Sequence, residues 1–197
     1  MTDRKTMYDG LTAAAWGYFF LYFDINLGNV SILPQFVGYL MLMQAARDLS
    51  AERRDLALLR PLLILLVAWS AGDWLLSWTG RDIDGHVLFA DLIAAAVQLY
   101  FHFQFLTDMS ALAEKFQAEG GDLYRRLLRK RTLYTLLITF IALIQTVTSG
   151  FASPDAGGWL VMVPAIFAAI LSLAAMVNLF ELRACFRSEG EEENLSV

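Results

Sequence analysis

The sequence predicts an all-α integral membrane protein with six transmembrane helices, arranged as three helical hairpins with both termini in the cytoplasm. Of the 197 residues, 57% are hydrophobic and only 18% are charged, with a mean hydropathy of +0.50. A soluble domain could not cover that much apolar surface. Several apolar runs also approach the roughly 20 helical residues that cross a bilayer.

The first span follows Arg4 and Lys5 and ends in the sequence FDINLG. Because no A-x-A-like cleavage site follows, this run is interpreted as an uncleaved span and not as a secretory signal. Hydropathy and the turn-forming residues between the apolar runs define the other spans. The six predicted spans are 8–25, 34–48, 61–79, 87–107, 132–150 and 159–181.

A tight external turn is predicted between the first two spans. Asn26, Gly28 and Asn29 are turn formers, and Pro34 suits the first turn of a new helix. Because both flanking spans are short, the alternative is a re-entrant pair that does not cross fully, and the sequence leaves this open.

Charge asymmetry sets the predicted orientation. Of the 15 Lys and Arg residues, 14 lie in the N-terminal segment, the second and fourth connections and the C-terminal segment, and Arg81 lies on the opposite side. Cationic connections are retained in the cytoplasm, which predicts an N-in, C-in protein of a bacterial cytoplasmic membrane. Residues 1–187 are expected to form one membrane domain, followed by an acidic disordered tail at 188–197.

The longest internal connection contains a strongly basic stretch at 122–131. As a helix this stretch would place Leu123, Leu127 and Leu128 beside a cationic surface. It could then lie on the inner leaflet and attract anionic lipid headgroups, or serve only as a topology anchor.

Polar side chains occur in three predicted spans at a similar depth. From the helical rise, Asp73, Asp91 and Gln145 each lie about 8–10 Å below the outer surface. Asp24 lies at the rim of this layer. Carboxylates inside a membrane are costly, so we expect Asp73 and Asp91 to be functional. If they face each other, one would take up a proton or the pair would hold a cation.

The fourth span adds a polar stripe, because Asp91, Gln98 and His102 share one helical face. Such a stripe can line a water path or a proton relay. The structural alternative is interhelical hydrogen bonding, which we favour for Gln98 and Gln145 as neutral amides. The candidate ligand- or ion-binding residues are Asp73, Asp91, Gln98, His102, Gln145 and Asp24.

No motif for enzymatic chemistry is present, and we expect no cofactor and no metal site. The basic stretch lacks the aromatic residues that suit nucleic acid, so no nucleic-acid partner is expected.

Gln44 and Asp48 have the same four-residue spacing as Gln104 and Asp108, and a third short match lies at 178–181. Matches this short favour the interpretation that helix ends at an interface use similar residues over the interpretation as an internal repeat.

The stretches FDINLG at 23–28, LPQFVGYL at 33–40 and DLS at 48–50 resemble the N-terminal part of small multi-pass bacterial membrane proteins that have no assigned activity. The resemblance covers the first hairpin only and implies no function.

The sequence therefore predicts a protein that moves or senses a small solute, cation or proton through an outward-facing polar pocket. The alternative is a non-catalytic assembly or regulatory subunit, and a membrane-embedded lipid-modifying enzyme comes third. The sequence leaves open whether the protein forms a homo-oligomer or binds a membrane partner subunit.

Overall fold

The computed structural model describes residues 4–22, 26–27, 30–31, 34–78, 88–151 and 154–186. Within these ranges the chain is helical apart from one two-residue ladder and the short turns between helices. The elements in chain order are α1 Arg4–Tyr22, β1 Asn26–Leu27, β2 Val30–Ser31, α2 Gln35–Leu49, α3 Asp55–Leu58, α4 Arg60–Ser77, α5 Leu88–Phe116, α6 Leu123–Phe151 and α7 Pro154–Ala184.

The six long helices overlap the six predicted spans. The second helix begins where proline chemistry predicts, since Pro34 is its N-cap in an extended conformation and helical residues start at Gln35. The strands β1 and β2 pair antiparallel, with Asn26 opposite Ser31 and Leu27 opposite Val30. This register reverses the chain between α1 and α2, as a turn between them requires.

Helices α5 and α6 are longer than the predicted spans, because both continue past the charged residues at their shared end. Leu123 and Leu127 lie one turn apart on α6 and are buried in the hydrophobic core, which holds the basic stretch in the helix. The short turn between the helices contains Gly120 with a φ of 82°, a conformation that suits glycine.

The six long helices form a ring in chain order. Helix α1 packs against α2 and α7, α2 packs against α4, and α5 packs against α4 and α6. The contact between α6 and α7 completes the ring, and the contact between α4 and α5 is the least extensive of these. Residues far apart in sequence can therefore meet in the centre.

Two glycines let α1 and α2 approach closely. A methyl group built at Gly38 would lie 2.9 Å from the carbonyl oxygen of Gly17, and one at Gly17 would lie 2.8 Å from Cγ of Leu42. Such a close approach of two helices is possible only without a Cβ atom at these positions. This approach fixes the position of α1 within the ring.

The bundle has a packed end and an open end. The packed end contains residues 53–66 of α3 and α4, 101–134 of α5 and α6, and 172–186 of α7, and it holds most of the buried hydrophobic cluster. The open end contains residues 67–76 of α4, 92–100 of α5 and 135–144 of α6, and no side chain described in these three stretches is buried. Helices α4, α5 and α6 thus pack tightly at one end only.

Large apolar side chains remain exposed on the outside of the ring. Those more than half exposed include Leu75 on α4, Ile93 on α5, Leu136 on α6 and Phe167 on α7. Among the described residues, two helical segments are long and apolar enough to cross a membrane, Asp55–Leu76 and Met162–Ala184.

Candidate functional site

A buried histidine lies at the junction between the packed end and the open end. His102 on α5 is only 1% exposed, and its Nδ1 lies 3.1 Å from the hydroxyl oxygen of Tyr18 on α1. If the Tyr18 hydroxyl donates to Nδ1, the neutral imidazole carries its proton on Nε2; the reverse tautomer makes Nδ1 the donor. In both cases the two side chains share one hydrogen bond.

Two further helices contribute to this site. The ring of Tyr134 on α6 lies 4.8 Å from the ring of His102, centroid to centroid. The hydroxyl of Ser172 on α7 donates to the backbone carbonyl of Tyr18 at 2.9 Å. Tyr18, His102, Tyr134 and Ser172 therefore join α1, α5, α6 and α7, and we call them the Tyr–His node.

The second imidazole nitrogen of His102 is the chemically notable atom of the Tyr–His node. Nε2 is buried and has no hydrogen-bond partner among the described residues. A buried polar atom without a hydrogen bond costs roughly 1–3 kcal/mol. Such a group calls for an explanation, and a proton-binding or ligand-binding role is one.

Aromatic residues enclose the imidazole on the other sides. The rings of Phe101 and Phe105 are fully buried, with Phe101 at 5.1 Å from His102 and Phe105 at 6.0 Å from Tyr18. Since these rings have no groups that ionise, they add no polar chemistry beside the imidazole. A change in the packing of these rings would therefore alter the surroundings of the imidazole.

Helix α5 places Gln98 one turn from His102, on the side of the open end. Gln98 is half-buried there. The predicted polar stripe continues to Asp91, which lies in α5, but its side chain is outside the described part of the structure. Gln98 and His102 therefore share a face because of the helical repeat, whereas the outer part of the stripe stays a prediction.

The other predicted site residues are distributed as follows. Asp73 is half-buried on α4 in the open end and takes part in a polar interaction. Gln145 lies in α6, although its side chain is not described, and Asp24 lies outside the described residues. Whether the carboxylates of Asp73 and Asp91 meet stays a prediction.

A second buried polar group was missed by the interpretation of the sequence. The carboxylate of Asp108 is fully buried at the packed end, where it accepts hydrogen bonds from Arg53 at 3.1 Å and from Gln104 at 3.2 Å. Burial raises the pKa of Asp108 above its usual range, because it outweighs the opposing effects of Arg53 and Gln104. The signal was the four-residue spacing from Gln104 to Asp108, which was interpreted only as a similarity between helix ends.

Further ion pairs surround the packed end. Lys115 at the end of α5 pairs with Glu52, and Arg126 on α6 lies 2.5 Å from Glu181 on α7 and 3.1 Å from Asp122. The hydrogen bond that Arg126 donates to Glu181 raises the pKa of Arg126, which keeps it cationic. These pairs connect neighbouring segments of the ring at the end where the basic residues of the sequence collect.

An apolar groove of about 170 Å³ lies between α4 and α5, outside the Tyr–His node. Leu65, Leu66, Trp69, Ile93 and Ala94 line it. Because these residues contribute no hydrogen-bonding side chain except the indole of Trp69, the groove has no chemistry to select a polar ligand. Within the described ranges, no three His, Cys, Asp or Glu residues are grouped as they would be to bind a metal ion.

Comparison with protein-family models, with curated proteins and with solved structures finds no match to this chain.

Proposed function

We propose that this chain is a multi-span protein of a bacterial cytoplasmic membrane that moves or senses a small solute or cation, with the proton as the simplest species that its Tyr–His node can bind. The observation that carries the proposal is the buried imidazole of His102, hydrogen-bonded to Tyr18 and with a second nitrogen that has no hydrogen-bond partner among the described residues.

The exposed apolar side chains support membrane placement. Leu75, Ile93, Leu136 and Phe167 belong to four different helices of the ring, and each is more than half exposed. In water such a surface would promote aggregation, whereas lipid chains cover it at no cost. The proposal of six spans requires that every long helix crosses the bilayer, and not only the two most apolar segments, Asp55–Leu76 and Met162–Ala184.

The charge distribution supports the orientation. Arg53, Lys115 and Arg126 all lie at the packed end, with 14 of the 15 basic residues in connections assigned to the inner side. The packed end is therefore cytoplasmic and the open end faces outward. In this orientation the Tyr–His node lies at the base of the open end.

The open end supplies a route to the Tyr–His node. No described side chain of residues 67–76, 92–100 or 135–144 is buried, so α4, α5 and α6 are the more loosely packed part of the ring on the outer side. Gln98 and Asp73 are half-buried in this region. We propose that they, together with Asp91, Gln145 and Asp24, line the entrance to His102.

The first experiment measures protonation of His102. His102 and His86 are the only histidines, so His86→Gln leaves a single imidazole. With ¹⁵N-labelled histidine in lipid nanodiscs, we expect the ring nitrogen signals of His102 to change as the pH is lowered. Tyr18→Phe should move the midpoint of this change because it removes the hydrogen bond to Nδ1.

The second experiment measures proton flux into liposomes loaded with a pH-sensitive dye. We expect His102→Gln to reduce the flux at least tenfold, whereas His86→Gln serves as the matched histidine control and keeps it. Both variants should retain the thermal unfolding midpoint of the starting protein in detergent. An imidazole that keeps one protonation state, together with equal flux in both variants, would overturn the proposal.

The second candidate function is a non-catalytic assembly or regulatory subunit. The bond from Ser172 to the backbone of Tyr18 favours it, because this bond joins two helices and has no role in binding a solute. In that case the Tyr–His node is structural, and Tyr18→Phe and His102→Gln should both lower the unfolding midpoint without changing any pH response.

A further inference from the structure

The N-terminal turns of α6 present a cationic face that the described residues do not neutralise. Arg125 and Arg129 are exposed and lie four positions apart, so they share one side of the helix, and the next residue, Lys130, is half-buried and lies about 100° around the helix axis from Arg129. None of the three forms an ion pair within the described part of the chain. We call Arg125, Arg129 and Lys130 the α6 cationic face.

The end of α7 lies directly beside this face. Arg126, on the same turns of α6, contacts Glu181 of α7 at 2.5 Å. Beyond the helix, the ring of Phe186 is buried against that of Phe116, at 4.7 Å between centroids. The chain therefore leaves the bundle next to the start of α6.

Arg187 and Ser188 follow Phe186, and the residues after them are acidic. Four of the five residues in 189–193 are glutamate, and the segment lacks the apolar residues that would give it a core of its own. At about 3.3–3.6 Å per extended residue, seven residues beyond Phe186 reach roughly 23–25 Å. The α6 cationic face extends only about 8 Å along the helix axis, from the rise per residue.

We infer that the acidic segment 189–193 binds the α6 cationic face and competes there with anionic lipid headgroups. In a neutral bilayer the glutamates neutralise Arg125, Arg129 and Lys130, whereas anionic lipid displaces them. Contacts between exposed charges are weak and sensitive to salt, which suits reversible exchange. The inference uses the proposed membrane orientation but does not depend on the Tyr–His node.

Distance measurements between two spin labels test this contact in the full chain. The native cysteine is removed by Cys185→Ser, and labels are attached through Thr132→Cys, on α6 beyond Arg129, and Asn194→Cys. In neutral nanodiscs at low salt we expect a short-distance population. High salt, or phosphatidylserine in the nanodisc, should abolish it.

Two triple variants that remove the same charge from different surfaces test whether the acidic segment binds the α6 cationic face. The triple variant Arg125→Gln, Arg129→Gln and Lys130→Gln should lose the short-distance population. The control triple variant, Arg4→Gln, Arg54→Gln and Arg60→Gln, removes the same charge from exposed residues elsewhere and should keep it. The inference is overturned by a broad distribution in neutral nanodiscs, by equal behaviour of the two triples, or by a short-distance population that phosphatidylserine leaves unchanged. None of these outcomes bears on the protonation of His102.

Discussion

The packed end and the open end of the bundle are built from similar residues and differ in how those residues are used. At the packed end Phe105 and Leu112 of α5 are fully buried, whereas Ile93 and Tyr100 of the same helix are more than half exposed. Composition alone would not separate the two stretches, since both are rich in Leu, Ala and aromatic residues. The difference lies in how closely the neighbouring helices approach.

The comparison also separates two kinds of polar group. Asp108 at the packed end is fully buried and its carboxylate oxygens are hydrogen-bonded by Arg53 and Gln104. His102, where the two ends meet, is equally buried, and its Nε2 has no hydrogen-bond partner within the described ranges. A buried polar group with hydrogen-bond partners stabilises the packing around it. A buried polar atom without a hydrogen-bond partner is the stronger candidate for a functional role.

The largest effect is expected from truncating one aromatic ring at each end. Phe105 is 0% exposed and Phe140 is 50% exposed. We expect Phe105→Ala to lower the free energy of unfolding by about 4 kcal/mol through a cavity, and Phe140→Ala by about 1 kcal/mol or less. Equilibrium unfolding in mixed detergent micelles, followed by tryptophan fluorescence, measures both. Equal losses would remove the distinction between the two ends.

Removing the buried carboxylate should rank second. Asp108→Ala removes the buried acceptor of Gln104 and Arg53, although Arg53 keeps its ion pair with Asp55. We expect a loss of about 3 kcal/mol, at the lower end of the range for broken buried pairs, because Arg53 is 37% exposed and can turn to water. The same unfolding measurement applies. The exposed pair Arg47–Asp48 provides the control, since Asp48→Ala should cost about 0.5 kcal/mol.

The isosteric variant Asp108→Asn tests the sign of the pH dependence. Because the pKa of Asp108 is raised in the folded state, its contribution to stability is complete below the usual carboxyl pKa and is lost as the pH rises through the raised value. The unfolding midpoint of the unmodified protein, relative to that of Asp108→Asn, should therefore decrease as the pH is raised from acidic to neutral. A relative midpoint that rises with pH would show that the Arg53 pair outweighs burial.

The close approach of α1 and α2 should give an intermediate effect. Gly38→Ala places a methyl group 2.9 Å from a backbone oxygen that cannot move without separating the helices. We expect a loss of about 2 kcal/mol, within the range for overpacked sites, measured by the same unfolding assay. Gly121→Ala, in the turn before α6, is the control, because its nearest neighbours lie at 3.0 Å or more and belong to a short surface connection. Equal losses would show that the glycines of α1 and α2 have no special packing role.

The smallest effect is expected from the exposed ion pair between α6 and α7. Arg126 and Glu181 are 39% and 46% exposed, so solvent screens their attraction. Glu181→Gln should change the free energy of unfolding by less than about 1 kcal/mol, and high salt should remove the difference. A larger effect that persists in high salt would indicate that these charges help to hold the packed end closed.

Much of the helical framework could be predicted from local sequence. Hydropathy located the six long helices, and Pro34 located the start of α2. The prediction was incomplete at the basic stretch before residue 131, where charge suggested a surface segment or a topology anchor. Leu123 and Leu127 instead place this stretch in α6, since their burial in the core is a tertiary effect.

The candidate site could be predicted only in part. His102 was selected because an imidazole inside a span is costly. Tyr18 and Tyr134 were not selected, because an aromatic residue in a span usually packs against others and nothing local marks the exception. The hydrogen bond between Tyr18 and His102 joins positions 84 residues apart, so it follows from the ring arrangement, in which side chains of α1 and α5 meet across the centre.

By itself, the sequence determined the helices, their order and the end at which basic charge collects, because hydropathy, proline and charge act over one or two turns. Only the tertiary structure decided that α1 lies close enough for Tyr18 to reach His102, and that Asp108 meets Arg53. Those contacts depend on the distances and rotations of whole helices. Such quantities are set by packing across the ring, including the absence of side chains at Gly17 and Gly38, and no local pattern contains them.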